Sequence, residues 1–217
     1  MSGYRRKYSP PEEIRDLREL IVIAVEGDKT EIQYFEEWHQ RIDNAAARIV
    51  LIPPEGKTDP RHVFDNLVSN QETGGPTEYW MVIDRDQWPL EMMTTISQEC
   101  KNKNYHLCVS NPAFDFWLLL HFEKGNGIKP AESDKANSAV SECMKRLRSE
   151  RYLIGFDKGF KRNQLALLMA KWRTAVKNAK ELDTPNCKFF PKNKVGSTVY
   201  RLVERLSEFL PPQSKAE

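Results

Sequence analysis

The sequence predicts an α/β fold: a parallel sheet of about four strands flanked by helices, with additional helices toward the C-terminus. Three observations predict it. Short apolar runs rich in β-branched residues recur through the first half of the chain, segments with helical spacing separate them, and acidic residues stand where several of the runs stop. Alternation of this kind indicates βαβ units, whose strands lie parallel under helices on both faces. Such sheets gather ligand chemistry at the carboxyl ends of their strands.

The run over 20–25, Leu-Ile-Val-Ile-Ala-Val, reads as a buried strand ending at Glu26 and Gly27. From 29 to 47, Ile32, Phe35, Trp38, Ile42 and Ala46 recur at three- and four-residue steps, the apolar stripe of a helix. Residues 48–52 make a second strand, stopped by Pro53 and Pro54. Asp59 and Pro60 open a helix through 69, as N-cap and first helical residue. After a loop at 73–76, residues 79–83 form a third strand that ends at Asp84. A helix over 89–102 leads to a fourth strand at 105–109, and 113–122, beyond Pro112, is a short buried helix. Past Gly127 the pattern is helical only, over 132–149, 163–180 and 197–210. The expected organisation is an N-terminal extension (1–19), an α/β core (20–125), a helical part packed on it (126–210) and a loose tail (211–217).

Composition, 40% apolar and 29% charged, is that of an ordinary soluble chain. The longest apolar stretch, 116–120, is too short to cross a bilayer. The opening Met-Ser-Gly-Tyr-Arg-Arg-Lys lacks the apolar centre of a secretory signal, so a cytoplasmic location and no membrane partner are expected. Cys100, Cys108, Cys143 and Cys187 are too scattered for a zinc site or a disulfide framework. Cys108, in an apolar run, reads as a small buried hydrophobe. The net charge of +2 hides an asymmetry: residues 145–194 carry 14 Lys and Arg against 4 Asp and Glu, leaving the remainder net acidic. An acidic first part and a basic second part suit a metal site beside a polyanion-binding surface, or helix faces that are simply solvated.

The acidic residues carry the chemistry. Asp84-Arg85-Asp86 directly follows an apolar strand, and residues two apart in extended chain point the same way, so both carboxylates are expected to face one point while Arg85 faces away. Close carboxylates repel, and a divalent cation resolves the conflict; all-oxygen donors favour Mg²⁺ or Mn²⁺. If the first and third strands are neighbours, Glu26 joins the pair. Glu31 is either an outer ligand or a favourable charge in a first helical turn. Gly56-Lys57-Thr58 looks like the end of a phosphate-binding loop, but Leu51 stands where that motif needs glycine.

Glu26-Gly27-Asp28-Lys29-Thr30-Glu31 with Tyr34-Phe35, then Val82-Ile83-Asp84-Arg85-Asp86, then the run from Ser110-Asn111-Pro112-Ala113-Phe114-Asp115 to His121-Phe122, together resemble RloB-like proteins. Thr198-Val199-Tyr200-Arg201 fits the same pattern more loosely. That resemblance implies a Toprim-like core, a place in bacterial anti-phage defence, abortive infection included, and an ATPase partner from the same locus. In Toprim enzymes a Glu after the first strand and a D-x-D after the third bind Mg²⁺ for phosphodiester chemistry. The matching positions are Glu26, Asp84 and Asp86, expected as both catalytic and metal-binding. Position 115 is Asp where the family leads one to expect Glu.

The expected activity is therefore a Mg²⁺- or Mn²⁺-dependent nuclease acting on DNA or RNA, tRNA included, from a chain that can form homo-oligomers. Alternatives are a binding-only sensor or effector subunit, and a phosphomonoesterase of the haloacid dehalogenase type, in which Ser110 would hold phosphate. Asn111 supports the site or makes a turn before Pro112; His121 supports it or fills the core; Asp115 coordinates or caps. Lys158, Lys161, Arg162, Lys171, Arg173, Lys192 and Lys194 are candidates for a phosphate-backbone track, with Tyr152 and Trp172 as stacking partners, or Trp172 as a core residue of its helix.

Overall fold

Strand β1 (Glu19–Val25) lies within a five-stranded sheet, flanked by β2 (Ala47–Ile52) on one side and β3 (Thr77–Asp84) on the other. Beyond β3 lie β4 (His106–Asn111) and β5 (Gly196–Ser197), giving the order β2-β1-β3-β4-β5. The first four strands are parallel, with Val22 opposite Val50 and Tyr79. The computed structural model describes residues 18–56, 58–71, 76–86, 88–131, 136–149, 151–183 and 194–212. Most of the expected N-terminal extension and tail, together with Cys187 and Lys192, lies outside them.

The strand residues are apolar on both sides because both faces are covered. Ile21, Ile23, Val25, Trp80, Val82 and Cys108 face one core; Val22, Ala24, Met81, Ile83 and Val109 face the other. The first core is closed by α1 (Thr30–Arg41) through Tyr34, Phe35 and Trp38, and by α4 (Phe114–Leu120) through Phe116, Trp117 and Leu119. The second is closed by α2 (Pro60–Ser69) and α3 (Leu90–Asn102) through Val63, Phe64, Leu67, Met93 and Ile96. Each fully buried side chain of this kind contributes about 1.5–3 kcal/mol.

The C-terminal helices α5 (Ala136–Leu147), α6 (Arg162–Ala170), α7 (Trp172–Leu182) and α8 (Val199–Ser207) share the first core. Among the described residues no helix is long and apolar enough to cross a membrane. Cys100, Cys108 and Cys143 are buried free thiols.

Four details depart from the sequence expectation. Helix α1 stops at Arg41, because Asp43 folds a turn, its Oδ1 accepting the Ala45 N–H at 2.9 Å, and its own N–H donates to the Phe209 carbonyl. The helix expected over 163–180 is two, broken at Lys171. The helix expected from 197 begins at Val199. The residues before it form β5, a fifth, antiparallel strand, pairing Ser197 with Ser110.

Candidate active site

Order β2-β1-β3 means that the chain leaves β1 toward one side and returns on the other, with α1 and α2 on opposite faces. That reversal opens a crevice above the carboxyl ends of β1 and β3. Glu26 and Asp84 stand there. The Glu26 N–H continues the β1–β3 ladder by donating to the Val82 carbonyl at 3.1 Å. Its Oε2 then accepts the Asp84 N–H at 2.8 Å. Asp84 Oδ1 accepts the N–H of Phe114 at 2.8 Å, tying the end of β3 to the start of α4.

Two further carboxylates come from helix starts. Glu31 lies in the first turn of α1 and Asp115 in the first turn of α4. Glu31 folds back over Gly27, where a Cβ would collide with its carboxylate. Glycine is thus needed for a close approach, and the group that approaches is Glu31. The four acids line one cavity of about 440 Å³ together with Asp28, Lys29, Thr30, Gly56, Thr58 and Lys158.

Burial makes this an uncomfortable place for negative charge. Desolvation pushes Glu26 up to about 8, helped by repulsion from Glu31 and Asp86 and opposed by the Asp84 N–H. Glu31 is pushed up to about 7 by burial, with repulsion from Asp115 and Asp28, and relief from Lys158. Asp84 is raised well above the ordinary carboxylate range by burial and by Glu26, Glu31 and Asp115. Asp115 rises to about 6 through burial, moderated by Lys158 and Arg148.

The donors are all oxygen, and Glu26 and Asp84 each engage one oxygen in a backbone bond and keep the other, so donor chemistry and charge fit Mg²⁺ or Mn²⁺. As placed, however, no three His, Cys, Asp or Glu side chains among the described residues are gathered closely enough to hold a metal ion. Cation binding at this cavity therefore requires the carboxylates to draw together.

Several expected members stand elsewhere. Asp86 does not line the cavity: β3 ends at Asp84, and Asp86 takes a left-handed backbone (φ 37°), so strand alternation no longer places it beside Asp84. It acts on the site through its repulsion of Glu26. Arg85 does face away and is fully buried, with Nη1 donating to the Trp88 carbonyl.

Asn111 is buried with Oδ1 accepting the Ala131 N–H at 2.8 Å, a brace for the loop after α4. His121 is a core residue, its Nδ1 3.1 Å from the Trp117 carbonyl and its Nε2 3.2 Å from the Tyr34 hydroxyl. Burial pushes it down to about 4, so it is neutral. Ser110 shares its hydroxyl with Ser197 at 2.9 Å inside the β4–β5 contact, which removes it from the phosphate-holding role of the phosphatase alternative.

Of the basic candidates, Lys158 alone lines the cavity. Lys161 and Arg162 are exposed at the start of α6. Lys171 lies over the Phe122 ring and Arg173 over Trp172. Lys194 is half-buried beside β5. Tyr152 stacks on Phe122 with centroids 4.7 Å apart, and Trp172 packs edge-on against Trp38 at 5.7 Å. Both aromatic rings expected to stack on bases are thus engaged within the fold.

Sequence reasoning missed Lys29, Thr30 and Thr58 as cavity residues. Lys29 and Thr30 sit between Glu26 and Glu31, so the segment itself was the signal.

A family model described as RloB-like protein matches residues 21–206. No curated protein and no solved structure matches the chain.

Proposed function

The chain belongs to the RloB-like protein family, and on that premise we propose that it is a divalent-cation-dependent nuclease whose centre is the cavity of Glu26, Glu31, Asp84 and Asp115. One observation carries the reading: four desolvated carboxylates from four separate elements meet at the β1/β3 crevice. Buried acids that repel each other cost stability unless a ligand compensates them. A purely structural role gives no reason to gather them.

Glu26 and Asp84 would hold Mg²⁺ or Mn²⁺ through the oxygens not engaged by backbone N–H groups, with Glu31 and Asp115 completing the set. When bound, the cation neutralises charge on a phosphodiester and stabilises the leaving oxygen. The chain's own residues do the rest. The Asp84 N–H fixes the Glu26 carboxylate, and the Phe114 N–H fixes that of Asp84, so the drawing together would fall mainly on Glu31 and Asp115. Glu26, whose proton affinity burial raises, would give up its proton before that oxygen holds the cation. A role in phage defence, and activation by the ATPase that the family resemblance implies, belong to the same reading.

Cleavage of DNA, total RNA and tRNA with Mg²⁺ or Mn²⁺ tests it, comparing wild type with Asp84→Asn and Glu26→Gln. Cleavage by wild type that falls at least about a hundredfold in both variants is expected. Protein that never cleaves nucleic acid, alone or with its ATPase partner, contradicts the reading and leaves a binding-only subunit.

A further inference from the structure

We propose that Trp88 is a positioning residue of the cavity, its indole N–H donating to the Glu26 carboxylate once the acids draw together around a divalent cation; the inference rests on the nuclease reading. It starts from a donor without an acceptor. Trp88 Nε1 is buried and has no hydrogen-bond partner among the described residues. A buried N–H left unpaired costs stability and calls for a reason.

The acceptor that would satisfy it stands nearby. Because the Glu26 N–H donates to the Val82 carbonyl, the β1–β3 ladder and its alternation still hold at residue 26. Val22 and Ala24 face the second core, so the Glu26 side chain rises at the edge of that core, against which Trp88 packs. The electrostatics agree. Desolvation raises the proton affinity of Glu26, and the Trp88 indole opposes it after the Asp84 N–H, as a donor close to the carboxylate does.

The chain beyond β3 is built to hold the indole there. The N–H groups of Arg85 and Asp86 donate to the carbonyls of Ser110 at 2.7 Å and Pro112 at 3.2 Å, fastening this segment to the end of β4. Asp86 takes its left-handed backbone, and the chain turns. Arg85, fully buried, then closes the turn by donating from Nη1 to the Trp88 carbonyl. Its Nε and Nη2 have no partner among the described residues, so the guanidinium serves the Trp88 backbone rather than an ion pair. A carboxylate that ligates a cation through one oxygen still accepts hydrogen bonds, and such bonds fix its orientation. The Asp84 N–H supplies one to Glu26, and Trp88 supplies the other.

A rival role is packing alone, in which the indole covers the second core and its N–H does nothing. Trp88→Phe keeps an aromatic ring for the core and removes the N–H, so it separates the two roles.

The test uses the whole chain labelled with ¹⁵N. Its tryptophan indole N–H resonances are followed through a Mg²⁺ titration, Trp88 being assigned by its loss in Trp88→Phe. Mn²⁺ affinity is measured in parallel by electron paramagnetic resonance. In wild type the Trp88 resonance is expected to move downfield and saturate, as formation of a charge-assisted hydrogen bond requires. In Glu26→Gln it is expected to stay in place. The Trp80 resonance, whose N–H donates to Glu78 toward the other end of β3, is expected to stay in place in both. Trp88→Phe is expected to weaken Mn²⁺ binding about tenfold, the usual scale for removing a ligand's supporting hydrogen bond. Trp172→Phe, which alters a ring packed on Trp38, is expected to leave it unchanged.

A Trp88 resonance that ignores Mg²⁺ in protein that binds Mn²⁺ overturns the positioning role, and so does unchanged Mn²⁺ affinity in Trp88→Phe. A resonance that still moves in Glu26→Gln also overturns it, because the acceptor is then another group. Wild type that binds no Mn²⁺ overturns it together with the nuclease reading. A Glu26-dependent shift in protein that never cleaves nucleic acid keeps the positioning role and removes the nuclease reading. Cleavage with the resonance unmoved does the reverse.

Discussion

Gly27 lacks a side chain where Glu31 needs the space, and this single missing carbon decides whether a fourth carboxylate reaches the cavity. Gly27→Ala is expected to displace Glu31 and weaken Mn²⁺ binding about tenfold, the usual scale for disturbing a ligand's support. The thermal midpoint should change little, because no core contact is lost; titration and melting curves together check this. Unchanged affinity would remove Glu31 from the cation site. At this scale the sequence is informative where strand ends fix position. Glu26 and Asp84 were legible as neighbours because each directly follows an apolar strand. The alternation rule places Asp86 beside Asp84 only while the strand lasts; β3 ends at Asp84, and Asp86, two residues on, has a left-handed backbone. For Lys29 the one signal was its place between Glu26 and Glu31, since an exposed lysine at a helix start otherwise looks like any solvated charge. His121 lay in an apolar stretch, and the Tyr34 and Trp117 partners that keep it neutral appear only in three dimensions.

Strand β5 and helix α8 show how the last part of the chain holds the first. Val109 N–H donates to Thr198 Oγ1 at 2.8 Å, and the Thr198 N–H returns to the Val109 carbonyl at 3.0 Å. Arg205 of α8 reaches Glu78 at 2.8 Å and also pairs with Glu19, pinning the other ends of β3 and β1. Thr198→Val keeps the volume and leaves the Val109 N–H without an acceptor. It is expected to destabilise the fold by about 1–3 kcal/mol, read by denaturant unfolding. A change under about 0.5 kcal/mol, typical of indifferent positions, would mean that the bridge is dispensable. Four strands and the helices between them were readable because each carries its own apolar period. Gly196 and Ser197 carry none, and become a strand only because Ser110 and Asn111 offer them an edge. The break between α6 and α7 is equally silent, since apolar spacing runs through Lys171 without interruption.

At the scale of the whole molecule, the cavity acids work against the folded state. Glu26 and Glu31 rise from an ordinary 4.5 to about 8 and about 7, so between these values the folded chain keeps protons that the unfolded chain has released. The unfolded state then binds fewer protons, and stability falls as pH rises through that window. His121, depressed from 6.5 to about 4, acts in the opposite sense, losing stability as pH falls below 6.5. Above 6.5 the acids alone set the slope. Metal-free protein is therefore expected to melt at a lower temperature near pH 8 than near pH 6.5, and Glu26→Gln should flatten that slope. A melting temperature that rises over this range would contradict the burial of these acids. The basic second half is legible in the sequence as a charge excess. Lys171 and Arg173 lie over aromatic rings of the fold, and Lys158 alone enters the cavity. Everything proposed for that cavity requires it to take a divalent cation, although its acids are not yet gathered around one. The most direct test is a Mn²⁺ titration of purified wild type and Asp84→Asn, followed by electron paramagnetic resonance. Saturable binding by wild type that is lost in the variant is predicted; no binding by wild type, or equal binding by both, would contradict it.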